Sequence, residues 1–110
     1  MEIDGLNLNM VGGDDETIIM QVSEDGVVKP LVNGDKIEFT VWNEYGNVTL
    51  IEKAVTIFID GRAYIVIDSV DTVNLDNKSY LYNIKRTDTS GKIKTIIDSA
   101  YFTVRGRKKP

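Results

Sequence analysis

The sequence predicts an all-β fold, an antiparallel sandwich of about seven to nine short strands, in one domain of 110 residues. Apolar and polar residues alternate with a period of two almost from end to end, as strands with one buried face require. Clusters of Gly, Asn, Asp and Ser interrupt that alternation roughly every 8–12 residues, the spacing of hairpin-linked strands. No segment sustains the 3.6-residue period of a helix.

The elements follow in chain order. Leu6, Leu8 and Met10 alternate with asparagines, and Gly12-Gly13-Asp14-Asp15 breaks the strand. Ile18, Met20 and Val22 form the next apolar row. Val27-Val28 lies just before Pro30, which has no N–H to donate, so this piece is short or at a sheet edge. The turn at Asn33-Gly34-Asp35 launches the clearest strand, with Ile37, Phe39 and Val41 facing in and Lys36, Glu38 and Thr40 facing out. After a turn over 43–47 come strands over 48–53 and 55–59. Asp60-Gly61, the strongest hairpin dipeptide present, is expected to join the latter to Arg62–Ile67. Alternation lapses over 68–75, where an Asp/Ser start suits at most one short helical turn. Strands resume over 79–87, 92–99 and 101–104, which closes a single sandwich domain spanning 1–104. Residues 105–110 are read as a disordered basic tail.

Composition excludes much chemistry. The chain has no Cys and no His, so it holds no disulfide, thiol nucleophile, His general base or Cys/His zinc site. No catalytic residue, metal ligand or cofactor is assigned. The formal charge is −4, and without Arg105, Arg107, Lys108 and Lys109 the body stands at −8, which argues against wrapping nucleic acid. The longest apolar run, Ala54–Ile59, is far short of the ~20 residues of a membrane-spanning helix. The acidic start lacks the regions of a signal peptide.

Several residues invite a functional reading. Trp42 is out of phase with Ile37, Phe39 and Val41, so a strict pleat puts it outside beside Tyr45 as an interface anchor or sugar-stacking platform. A bulge at the strand end would instead turn the ring over the core. Asp14-Asp15-Glu16 offers oxygen ligands but lacks the spacing of a calcium loop. Asn47 and Asn77 each begin a glycosylation sequon and are read as turn residues. Leu75 followed by Tyr80 and Tyr82 is similar to the start of strand F in immunoglobulin-like sandwiches. There Tyr80 is the corner tyrosine whose hydroxyl bonds upstream backbone, and Tyr82 stands where antibody domains place a cysteine.

The order of landmarks resembles the N-terminal domain of the phage baseplate upper protein family, an immunoglobulin-like module of phage tails. The landmarks are Gly13-Asp14 before 17–23, Ile37–Val41, Leu75, Tyr80-Leu81-Tyr82, Ser90-Gly91 through Thr95-Ile96, and Phe102-Thr103-Val104. The insertion Val27–Val32 departs from that pattern, as does Asn77-Lys78-Ser79 before the Tyr-x-Tyr strand. The resemblance implies a non-enzymatic virion component, made in the bacterial cytoplasm, that docks other tail or baseplate proteins or copies of itself. A carbohydrate-binding or adhesion module built on Trp42 and Tyr45 is the alternative.

Overall fold

A computed structural model describes residues 1–106. It contains β1 (Glu2–Asp4), β2 (Asn7–Val11), β3 (Glu16–Met20), β4 (Ser23–Glu24), β5 (Val27–Val28), β6 (Lys36–Trp42), β7 (Thr49–Val55), β8 (Ala63–Ile67), α1 (Ser69–Thr72), β9 (Ser79–Thr87) and β10 (Ile93–Arg105). Six strands form one sheet in the order β1-β2-β10-β9-β6-β7. The second layer is a two-stranded sheet of β3 and β8, and β4 and β5 make a separate small hairpin. This is the immunoglobulin-like sandwich that the alternation predicts. β10, β9 and β6 take the places of strands G, F and C, with β7 added beside β6, while β3 and β8 face them as B and E do.

Side-chain phase sets the layers. Ile37, Phe39 and Val41 of β6 are fully buried, as are Ala63, Ile65 and Ile67 of β8. β9 adds Tyr80, Tyr82 and Ile84, and β10 adds Ala100, Phe102 and Val104. At the centre the Phe39 ring lies 5.5 Å from Tyr82 and 6.1 Å from Phe102, in tilted and edge-on contacts. In antibody domains a strand-C tryptophan packs on a disulfide; here Phe39 on Tyr82 fills that role without cysteine. Thr72, at the end of α1, is buried and accepts the Gly13 N–H at 2.9 Å, which ties the helical turn to the β2–β3 connection.

Four details differ from the sequence reading. The sandwich is not wholly antiparallel, because β2 runs parallel to β10, with Leu8 opposite Phe102 and Val11 opposite Arg105. Nearly the whole chain separates the two strands, which supplies the long crossover that parallel neighbours need. The stretches 92–99 and 101–104 are one strand, β10, whose register on β9 shifts between Thr95 and Ile97 and again between Ile97 and Ala100. The bulges break the side-chain phase, which is why one strand reads as two. Strand order also continues through Arg105, whose carbonyl accepts the Gly12 N–H at 2.8 Å, so the domain runs past 104. The rest of the tail, 107–110, lies outside the described residues.

The expected hairpin over 55–67 is the fourth. The Asp60-Gly61 turn forms, both residues at positive φ, and Ile59 and Arg62 exchange both backbone hydrogen bonds at 3.0 Å. The ladder stops there. β7 ends at Val55 in the large sheet, residues 56–59 cross to the other layer, and β8 pairs with β3 instead. Gly61 is fixed by packing as well as by φ, since a Cβ there would lie 2.8 Å from Pro30 Cβ.

Because Phe39 joins both neighbouring aromatic rings, Phe39→Ala is expected to cost about 3–5 kcal/mol by urea denaturation. A loss under about 1 kcal/mol would mean that the ring cluster does not hold the two layers together.

Candidate functional site

The inner rows of the large sheet do not remain apolar to their ends. On β9 the inward phase Tyr80, Tyr82, Ile84 continues to Arg86, which lies opposite Ile37 on one side and Lys94 on the other. The same end of β6 begins after Asp35. Asp35 is almost fully buried, and its Oδ2 accepts Arg86 Nη2 at 2.8 Å and the Val32 N–H at 2.9 Å. Next along, Lys94 Nζ donates to Glu24 Oε1 at 2.8 Å, which fastens the β4–β5 hairpin to β10. Two ion pairs, Asp35 with Arg86 and Glu24 with Lys94, therefore stand side by side at the end of these rows, with Arg86 and Lys94 opposite each other.

Over this end lies a cleft of about 650 Å³, walled by Glu24, Lys29 and Pro30 from one side and by Arg86, Asp88, Lys92 and Lys94 from the other. Its two carboxylates are occupied. Asp88 Oδ1 accepts from the Ser90 hydroxyl, the Ser90 N–H and the Lys92 N–H, and these donors hold its carboxyl below the usual range. The hydrogen bond from Lys94 does the same for Glu24. Both are therefore ionised at neutral pH, and neither holds a proton for general-acid work. Lys29 and Lys92 have no carboxylate at salt-bridge distance among the described residues; they act on Glu24 and Asp88 only through space.

A second cavity, of about 280 Å³ and mainly apolar, opens beside the same strand. Leu6, Leu8, Ile18, Met20, Tyr82 and Ile97 are among its lining residues. β10 passes both openings. From Tyr101 onward its outer side is taken: the Tyr101 N–H donates to Asn7 Oδ1 at 3.1 Å, and β2 pairs with 102–105. Ile93, Lys94, Thr95 and Ile97 pair with β9 on one side, and residues 93–99 meet no strand on the other among the described residues.

The residues singled out in the sequence are scattered. Tyr45, at the turn after β6, is 80% exposed, whereas Trp42 is half-buried. A bulge does occur where β6 meets β7, between Val41 and Trp42. The ring contacts among the described residues are Phe39 with Tyr82 and Phe39 with Phe102. Asp15 Oδ1 accepts the Ser69 N–H at 2.7 Å while Glu16 Oε1 takes the N-terminal ammonium at 2.9 Å, so these two point apart. Among the described residues no three acidic side chains gather where they could hold a metal ion. Asn47 accepts at its Oδ1 from Asn43 Nδ2, inside the turn.

The Tyr80 hydroxyl donates to the Asp76 carbonyl at 2.9 Å, four residues upstream, and the Tyr82 hydroxyl donates to the Leu6 carbonyl. Burial raises both phenols above their ordinary value of about 10. Sequence reading missed the cleft. Its available signal was the inward phase of Arg86, since a cation continuing an apolar row has to be paired or to line an opening.

No protein-family model matches this sequence, and no protein of curated function matches it. Among solved structures the chain is similar to CopC from Methylosinus trichosporium OB3b, at 13% identity and a TM-score of 0.53, over 94% of this chain and 88% of that one. It also aligns with murine CRIg at 14% identity and a TM-score of 0.46, over 93% of this chain and 92% of that one. At such identity, likeness extends to the fold alone.

Two predictions follow from these bonds. Asp35→Ala is expected to cost about 3 kcal/mol in denaturant titrations, because it leaves Arg86 unpaired in a largely buried site, and adding Arg86→Met should recover part of that loss. Destabilisation unchanged by the second substitution would refute the pairing. The raised phenols favour the folded state fully below pH about 10, and that contribution disappears as pH rises through their folded values. Urea midpoints should therefore fall above pH about 10, more shallowly in Tyr82→Phe than in the parent. Equal slopes would show that Tyr82 ionises without penalty.

Proposed function

We propose that this domain is a non-enzymatic structural component of a phage tail or tail-like particle, acting by docking to other proteins. The observation that carries the docking reading is the incomplete second layer. β3 and β8 pair only with each other among the described residues, which leaves two strand edges open. Their outer face carries Ile19 and Val66, both about half exposed, and Ile57 nearby is 81% exposed. Open edges and exposed apolar rows are features that soluble domains cover with partners. The assignment to a phage tail is supported by the order of landmarks, from Gly13-Asp14 through Tyr80-Leu81-Tyr82 to Phe102-Thr103-Val104, which resembles the baseplate upper protein family.

The test is particle assembly. Tail-like particles induced from cells that carry the gene should contain the chain, and Ile19→Lys with Val66→Lys should keep the fold while reducing incorporation at least about tenfold, a loss worth roughly 1.4 kcal/mol of docking. Particles that assemble and infect normally without the chain would overturn the proposal.

A further inference from the structure

The free edge of β10 combines three features. It is long enough to pair, since Ile93, Lys94, Thr95 and Ile97 pair with β9 while residues 93–99 meet no strand on the other side among the described residues, whereas β1 has three residues. Next, the β10 edge runs beside a cavity of about 280 Å³ lined by Leu6, Leu8, Ile18 and Ile97, enough for one large apolar side chain. Finally, its start enters the cleft where Lys29 and Lys92 stand without a carboxylate at contact distance, although the body of the chain outside its last six residues is strongly acidic. Backbone edge, apolar socket and uncompensated cations fall in line along one strand.

We infer that β10 accepts an extended acidic peptide segment of a partner protein by strand addition. The partner's backbone pairs with 93–99, one apolar side chain enters the cavity near Ile97, and its carboxylates meet Lys29 and Lys92. From Ile97 to Lys92 the strand advances about 13 Å at roughly 3.3 Å per position, because the register shift after Thr95 takes up one residue, so anchor and carboxylate stand about four residues apart in the partner. Charge decides against a basic segment: Glu24 and Asp88 are already satisfied by internal donors, so only positive capacity remains in the cleft. The inference rests on the docking reading and names the chemistry of one docked segment. Its competitor in solution, non-specific attraction between an acidic peptide and lysines, would leave the backbone edge untouched.

The probe is the symmetric peptide acetyl-Glu-Asp-Glu-Thr-Val-Ile-Val-Thr-Glu-Asp-Glu-amide, which serves either strand direction, with a counterpart bearing Lys at every acidic position. Titrated into the isotope-labelled full chain, the acidic peptide should shift the amide resonances of 93–99 and slow their hydrogen exchange. Lys29→Glu with Lys92→Glu, both on exposed side chains, should weaken binding at least about tenfold, and rising salt should weaken it too. The basic peptide should not bind. No change at 93–99 up to about 1 mM peptide, or equal binding of the basic counterpart, overturns the inference. Shifts confined to lysine side chains, with exchange unchanged, also overturn it. The outcomes separate from those of the assembly test: a chain built into particles but blind to the peptide keeps the docking reading and loses this site. A chain that binds the peptide at 93–99 but is absent from particles keeps the site and loses the tail assignment.

Discussion

Two strands have to cover the inner face of six. The small sheet meets this demand with its densest row, Ala63, Ile65 and Ile67, all fully buried, supported by Ile18 from β3. Opposite them the large sheet presents Phe39 between Tyr82 and Phe102, so the widest side chains stand where the cover is best. Burying two tyrosines there is affordable only because each hydroxyl reaches a carbonyl at the rim, Asp76 for Tyr80 and Leu6 for Tyr82. Beyond the reach of β3 and β8 the same rows change chemistry. Arg86 and Lys94 continue the inward phase, and Asp35 and Glu24 neutralise them, which ends the core without exposing an apolar row to water.

Much of this was legible in the sequence because a period of two assigns each residue to a face. Ile37, Phe39 and Val41 face the core as their alternation requires, β9 spans Ser79–Thr87 as its pattern does, and the helical turn falls at Ser69–Thr72 within the stretch that loses alternation. Pairing is a different matter. Alternation says which face a residue takes but not which strand lies beside it. Asp60-Gly61 formed its turn, yet the flanking segments belong to different layers, because β8 buries Ala63, Ile65 and Ile67 more completely against the core than a continued hairpin with the exposed Ile57 would. Likewise the β10 bulges break the phase at Thr95–Ala100, so local pattern suggested two strands where backbone pairing makes one.

The cleft was harder to read for a related reason. Lys29 and Lys92 lie far apart in the chain and meet only because the β4–β5 hairpin folds onto β10 through Glu24 and Lys94. Sequence attention instead went to the rarest residues. Trp42 and Tyr45 stood out by type, but the turn after β6 is organised by Asn43, whose side chain accepts the Asn47 and Val48 N–H groups. Asp14-Asp15-Glu16 stood out by clustering, yet Asp15 and Glu16 accept from the Ser69 N–H and the N-terminal ammonium, two donors distant in sequence. Residue type marks a candidate; what decides is which donors the fold brings to it.

An open strand edge is a hazard as well as an opportunity, since identical chains can pair along it. β10 limits that hazard. Its two register shifts distort the regular ladder that a second flat edge would need, and Lys94, Thr95 and Asp98 along it are exposed polar side chains. The same bulges that hid β10 from a reading of alternation thus make the edge irregular between Thr95 and Ala100, and a strand that pairs with it has to accommodate the two register shifts as β9 does.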